Sequence, residues 1–305
     1  MQQSLPLWRS MLFVPANVPR FIDKAHQRGA DAIILDLEDS VPLEQKAYAR
    51  QQVTAAAHNL ALNSTDVVVR INASLRLAAA DLEAVIGPDV HAVCVPKVCG
   101  AAQLQWIDEA IDELEFERGI AAGSIRLIAL IESTAALARL DEIASSTSRL
   151  IAMILGPEDF AASAGMEAAA DGLLLPNQQV VFAARSAGIM PLGFVGSIGQ
   201  YSDLQAFRQT IRRSRRLGLC GGFCIHPDQV QIMNEEFAPS ADEVAAAQGL
   251  VDAYEQALRE NRGSAHFQGK MIDAPGASRA RELLAKHHRL VAWQINTAGK
   301  TGPEG

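Results

Sequence analysis

RLIAMILGPEDF, at residues 149–160, is the stretch whose reading organises the chain. An apolar run at 150–155 stops at Gly156-Pro157 and is followed at once by Glu158-Asp159. A short apolar run ended by Gly-Pro reads as a buried strand that delivers carboxylates to its C-terminal end. Upstream, RLIALIES at 126–133 repeats the arrangement and carries Glu132 to the end of its run. Two consecutive strand-like runs tipped with acids point to a divalent metal at one rim of a parallel barrel.

Further runs lie at 11–15, 32–37, 67–71, 92–95, 190–195 and 222–225, making eight in all. They are nearly continuous in apolar character, as strands covered on both faces are. Helical patterns separate them. The clearest spans 101–118, with Leu104, Ile107, Ile111 and Leu114 at helical spacing. Eight strand–helix repeats predict an α/β fold, a (β/α)8 TIM barrel with its site at the C-terminal strand ends. An open doubly wound sheet is the competing architecture, but no Gly-rich dinucleotide fingerprint follows any run. The barrel is expected to occupy residues 1–236, a C-terminal helical arm or lid 237–298, and a disordered tail 299–305. The arm opens on the capping signature Ser240…Glu243. A helix, a polar loop at 261–269, the segment KMIDAP at 270–275 and a last helix from about Ser278 follow.

Composition removes several function classes. The 305 residues are 49% hydrophobic and carry a net charge of −8, with acids and bases mixed. No basic patch marks a nucleic-acid footprint. The run Arg212-Arg213-Ser214-Arg215-Arg216 reads as a solvated helix face. No apolar run approaches the ~20 residues of a membrane span, and MQQSLPLWRS has no signal-peptide pattern. The cysteines, Cys94, Cys99, Cys220 and Cys224, lack CxxC spacing and fit reduced thiols in a cytoplasmic protein.

The polar residues at the strand ends supply the candidates. Glu132 and Asp159 sit on consecutive strands, which in a barrel are ~4.8 Å apart. Converging carboxylates repel unless a cation or a shared proton lies between them. Two acids without a His or Cys cluster suit Mg²⁺, or Mn²⁺, better than Zn²⁺. Glu132 has a competing reading as an acid at the start of a helix, and Glu158 reads best that way. Arg70 suits a clamp for a substrate carboxylate, or an ion pair with Asp36 or Glu38. Asp36, Glu38 and Asp39 are too many acids for one metal and read as partners of Arg70, Lys97 or metal-bound water. Lys97 suits a phosphate or a developing enolate, or is a surface lysine. His226, before Pro227, reads as a packing residue more readily than as a base.

SMLFVPA, ILDLEDSV followed by Lys46 and Ala49-Arg50, VVRIN, VPKV, LIES, LGPEDFA, CIHPDQV, FAPSADEV and GKMIDAP occur in that order. Together they resemble the citrate lyase β-subunit-like family, with its malyl-CoA and citramalyl-CoA lyases, in the HpcH/HpaI aldolase superfamily. The resemblance spans residues 9–284. It implies a Mg²⁺-dependent oxo-acid lyase that breaks or makes a carbon–carbon bond between an acyl thioester and a 2-oxo acid. By the same resemblance Glu132 and Asp159 hold the metal and Arg70 holds the acid's carboxylate. Asp273 is then the catalytic acid, donated across subunits of a homotrimer or a dimer of trimers. Gly156, Pro157 and Glu158 orient the acid, and Lys97 and Arg9 meet the thioester carrier, either CoA or an acyl-carrier protein. A thioesterase on the same substrate and a non-autonomous β subunit of a citrate lyase complex are the alternatives. Two departures fall near the mouth. The seventh strand reads Pro191-Leu192-Gly193-Phe194 where an acidic residue is common, and Glu167-Ala168 replaces a Leu-Gly-like ending.

Overall fold

A computed structural model describes residues 5–199 and 202–300. Residues 1–4 and 301–305 lie outside it, so the start of the expected leader-free N-terminus and the end of the expected tail do too. The chain divides into two compact units, Met1–Phe237 and Ala238–Gly305.

The first unit contains eight strands: β1 (Ser10–Pro15), β2 (Ala32–Asp36), β3 (Asp66–Arg70), β4 (Ala92–Val95), β5 (Arg126–Ile131), β6 (Leu150–Leu155), β7 (Met190–Leu192) and β8 (Gly222–Cys224). They pair in the order β7-β6-β5-β4-β3-β2-β1-β8, every pairing parallel. Two backbone bonds draw the remaining edges together: Cys220 N–H donates to the Pro191 carbonyl at 3.1 Å, and Gly193 N–H to the Gly221 carbonyl at 2.8 Å. The expected TIM-type barrel is therefore nearly closed. β7 ends earlier than the apolar run because Gly193, at φ 121°, leaves the extended conformation.

The barrel has two apolar layers, which is why its strands read as unbroken apolar runs. Met11, Ile34, Val68, Cys94, Leu130, Ile154 and Phe223 belong to one buried cluster, the barrel interior. Their neighbours one position away, such as Leu12, Ile33, Val69, Val95, Ile131 and Leu155, join the helices in another. The helix Ala101–Glu117 buries Leu104, Ile107, Ile111 and Leu114, the stripe read from its spacing. Each such side chain contributes ~1.5–3 kcal/mol when fully buried. At the start of β6, Arg149 ties this helix to the barrel. Its guanidinium donates to Glu115 at 2.6 and 2.9 Å and to Asp108 at 2.5 Å.

The second unit is a helix, a hairpin and a longer helix. Ser240 caps the helix Ala241–Arg259 in the expected box: Glu243 N–H donates to Ser240 Oγ at 3.2 Å, and Ser240 N–H to Glu243 Oε2 at 2.8 Å. The polar loop and KMIDAP segment form a structure the sequence reading missed. β9 (Ala265–Phe267) and β10 (Lys270–Ile272) pair antiparallel. Gly249 makes room for this hairpin, since a Cβ there would lie 2.5 Å from the Phe267 ring. The last helix, Ala274–Lys300, starts before Ser278 and takes in positions 299 and 300 of the expected tail.

Candidate active site

Period-two alternation along the strands brings the polar residues inward. Asp36, Arg70 and Glu132 each follow an interior residue, Ile34, Val68 or Leu130, by two positions. They form the next layer toward the C-terminal mouth. There a cavity of about 280 Å³ opens, with Asp36, Arg70, Glu132, Glu158, Asp159 and Gly156 among its lining residues.

Strand register sets Asp36 beside Arg70. Arg70 Nε and Nη2 donate to the two oxygens of Asp36, each at 2.7 Å. Arg70 Nη1 lies 3.1 Å from Glu38 and 3.8 Å from Asp39. The guanidinium also stands 4.6 Å over the Phe13 ring. The ion-pair reading of Arg70 is thus the one the structure shows, and the group still faces the cavity. Burial pushes the Asp36 carboxyl up, but the hydrogen bonds and charge of Arg70 outweigh it and hold Asp36 below the usual range. Ser40 adds an Oγ–H bond to Asp36 at 2.5 Å.

Glu132 follows β5 and turns inward. Ser133, not Glu132, caps the next short helix, Thr134–Leu137, by accepting from Ala136 N–H. The helix-start reading of Glu132 is therefore replaced by an interior one. Lys97 N–H donates to Glu132 Oε2 at 2.6 Å, from a residue held at φ 50°. Gly156 crosses directly over the carboxyl: a Cβ there would lie 2.5 Å from Glu132 Cγ. Burial raises the Glu132 carboxyl to about 7, with the Lys97 N–H opposing it and the charges of Glu38 and Asp159 adding to it.

Glu158 and Asp159 occupy the first turn of the helix Pro157–Ala164, where the macrodipole favours them. Glu158 accepts from Ser197 Oγ–H at 2.5 Å. Asp159 lines the cavity and raises Glu132 through its charge. Both neighbours line the cavity, with Glu158 tied to Ser197, and Glu132 lines the same cavity.

Other candidates are placed elsewhere. Arg9 precedes β1, at the N-terminal mouth of the parallel barrel, and its buried side chain donates to Asp31 at 2.7 and 2.8 Å. The expected contact of Arg9 with a thioester carrier at the C-terminal mouth is corrected on that ground. Lys97 Nζ donates to Glu38 at 2.6 Å and to Asp39 at 3.3 Å. Its charge is thereby engaged by the acidic loop after β2. Burial pushes the Glu38 carboxyl up even against Lys97 and Arg70. Asp39 is exposed at the rim and lines the cavity. His226 is the N-cap of the helix Pro227–Glu236, where its Nδ1 accepts from Asp228 N–H; its side chain is partly exposed rather than packed. Asp273 belongs to the second unit. Its Oδ1 accepts from Gly276 N–H at 3.0 Å, at the start of the last helix.

Positioning residues were missed. Lys46 Nζ donates to the Leu37 and Glu38 carbonyls at 2.8 and 2.9 Å, pinning the acidic loop. Asp81, fully buried, accepts from Asn72 N–H and Nδ2 at 2.7 and 2.6 Å and from Arg50 at 2.6 Å, fixing the chain after β3. Lys46 and Arg50 stand inside the quoted motif order. Asp81 lies in a helix with no sequence cue to its partners.

The donor set fits a divalent cation. Five acids, Asp36, Glu38, Asp39, Glu132 and Asp159, face three cations, Arg70, Lys97 and Lys46, among the described residues of this rim, leaving negative charge in excess. Among the described residues no group of three His, Cys, Asp or Glu is arranged to hold a metal. A cation between Glu132 and Asp159 would take its other ligands from water or substrate oxygens, as Mg²⁺ commonly does.

A nearly closed parallel barrel with carboxylates gathered at its C-terminal mouth defines a TIM-barrel enzyme. More particularly, the chain belongs to the HpcH/HpaI aldolase/citrate lyase family, whose model matches residues 9–227. It is 36% identical to citrate lyase subunit beta of Escherichia coli strain K12 over 284 residues, 91% of this chain and 92% of that protein. It is 33% identical to L-malyl-CoA/beta-methylmalyl-CoA lyase of Rhodobacter capsulatus over 299 residues, 90% of this chain and 93% of that protein. The CitE protein of Mycobacterium tuberculosis, solved with magnesium, acetoacetate and coenzyme A, superposes with a TM-score of 0.72 at 28% identity. That match covers 94% of this chain and 100% of that one. Among the described residues no helix is long and apolar enough to cross a membrane.

Proposed function

We propose that this chain is a Mg²⁺-dependent oxo-acid lyase acting on a 3-hydroxyacyl thioester of the malyl-CoA, citramalyl-CoA or citryl type. The reading rests above all on Glu132 and Asp159, two acids that line one cavity with Arg70, the charge of Asp159 raising the buried Glu132 carboxyl. The likeness to a malyl-CoA lyase and to a CoA- and magnesium-bound structure supports the thioester and the metal. Mn²⁺ suits the same ligands.

Glu132 and Asp159 would hold the ion, which when bound supplies Lewis-acid stabilisation of the charge that develops as the bond breaks. Arg70, oriented by Asp36 and Phe13, binds the acid's carboxylate with N–H groups not spent on Asp36. Backbone N–H groups at the start of the helix Pro157–Ala164, beside Gly156, Pro157 and Glu158, orient the same acid. In cleavage the 3-hydroxyl proton leaves to solvent, its O–H electron pair forms the new C=O, and the pair of the broken carbon–carbon bond passes to the thioester, leaving an oxo acid and a thioester enolate. Asp273 delivers a proton to the enolate carbon, and in the synthetic direction takes it away. In this proposal Asp273 comes from a neighbouring subunit of a homotrimer or a dimer of trimers.

The test is to offer the purified chain CoA thioesters with Mg²⁺ and to follow oxo acid by mass spectrometry. Oxo acid with intact acyl-CoA product supports the lyase. Free CoA with no carbon–carbon cleavage identifies a thioesterase. Similarity to citrate lyase subunit beta favours a second reading, a subunit that needs an acyl-carrier protein; activity of the chain alone on CoA thioesters overturns it.

A further inference from the structure

The cavity has two unlike sides. Charge gathers on the side built by β2, β3, β5 and the turn after β6, with Asp36, Arg70, Glu132 and Asp159. The side built by β8, β1 and the segment after β7 is hydrocarbon: Phe13, Phe194, Ile198, Phe223 and Ile225. Its aromatic groups are fixed in place. Phe13 and Phe223 meet edge to face at 5.2 Å, and Phe194 meets Phe207 likewise at 5.4 Å.

Polar groups near this wall are committed. Ser197 Oγ–H donates to Glu158. The Gln229 side-chain carbonyl accepts from Ile225 N–H at 2.9 Å and from His226 N–H at 3.1 Å, and its NH₂ points to the Ile198 carbonyl at 3.5 Å. Among the described residues that line this side, none itself carries a cation or a side-chain hydrogen-bond donor; the Arg70 guanidinium, 4.6 Å over the Phe13 ring, is taken by Asp36 and by the acid's own carboxylate.

We infer that this wall sets the substrate class: the 2-substituent of the oxo acid is hydrogen or a short alkyl group, and a second carboxylate is rejected. The inference rests on the lyase reading. An acid held by Arg70 and the carboxylate pair places its own carboxylate and 2-oxygen on the charged side, so its remaining substituent meets the hydrocarbon side. A carboxylate against Phe194 and Phe223 loses part of its water and meets no cationic wall residue among the described ones. A methylene there gains roughly fourfold in binding. Gly193 and Phe194, from the seventh-strand departure Pro191-Leu192-Gly193-Phe194, line the cavity here.

The experiment compares kcat/KM for malyl-CoA, citramalyl-CoA, its ethyl homologue and citryl-CoA with Mg²⁺. The two alkyl substrates are expected to exceed citryl-CoA by about 100-fold or more; citryl-CoA turning over as fast as either overturns the inference and leaves the lyase reading intact. Cleavage of none overturns the lyase reading instead. Calorimetric binding of 2-oxobutyrate against oxaloacetate then still decides the wall, equal affinities overturning it. Ile225→Arg, at a position already partly exposed, places a cation in the wall. The ratio of citryl-CoA to citramalyl-CoA turnover is expected to rise about tenfold, and an unchanged ratio overturns the inference.

Discussion

Glu132 is the residue on which the electrostatics of the site converge. Its carboxyl is raised to about 7 against an ordinary 4.5, first by burial and then by like charges. A carboxyl raised on folding contributes stability that is fully present below about 4.5 and lost as pH rises through about 7. The metal-free protein should therefore lose melting temperature across that window, and Glu132→Gln should flatten the profile. A cation must displace the same proton, so Mg²⁺ affinity should rise with pH over the window. Titration calorimetry in buffers of different ionisation enthalpy should detect proton release, and a flat affinity would refute the assignment. Gly156→Ala tests the same carboxyl from outside, because its Cβ would fall 2.5 Å from Glu132 Cγ. Mg²⁺ affinity should drop ~10–100-fold, as for lost orienting contacts, while the fold persists by circular dichroism.

The elements succeed or fail at their junctions. Gly221, leading into β8, packs where the chain enters β1, and a Cβ there would lie 1.8 Å from the Trp8 carbonyl oxygen. Backbone cannot yield as a flexible side chain can, so Gly221→Ala should destabilise the barrel by about 3 kcal/mol in urea titration. At the arm, Ser240→Ala removes one half of a capping box and should cost about 1 kcal/mol. Asp273 caps the last helix through Gly276 N–H. Asparagine caps as well as aspartate, so Asp273→Asn should keep the arm folded and Mg²⁺ bound while kcat falls ~100-fold or more. Unchanged kcat would remove Asp273 from the mechanism.

In the assembled molecule, the proposed donation of Asp273 across subunits makes a sharp prediction. Asp273→Asn and Glu132→Gln chains, each inactive alone, should restore activity when refolded together, because some mixed sites combine an intact metal pair with an intact acid. Mixtures no more active than the single variants would place the acid in its own chain's site. Sedimentation of the unmutated protein should show a trimer or a multiple of it.

The sequence by itself determined the eight strands, the TIM-type barrel and the placing of Glu132 and Asp159 at the ends of adjacent strands, because apolar runs and strand-end acids are local signals. It also left Arg70 between a clamp and a partner for Asp36, and register resolved that by pairing the two directly. Only the tertiary structure decided which mouth a residue faces. Arg9 abuts β1 in sequence, yet parallel strands start and end at opposite mouths, and a six-residue strand spans ~20 Å. Lys97 was drawn to Glu38, the β9–β10 hairpin paired segments too short to signal a strand, and Asp81 found partners from two other elements. The hydrocarbon wall likewise joins residues from positions 13 to 225, because barrel closure brings β1 and β8 together. Such contacts depend on register and closure, which no single stretch of chain encodes.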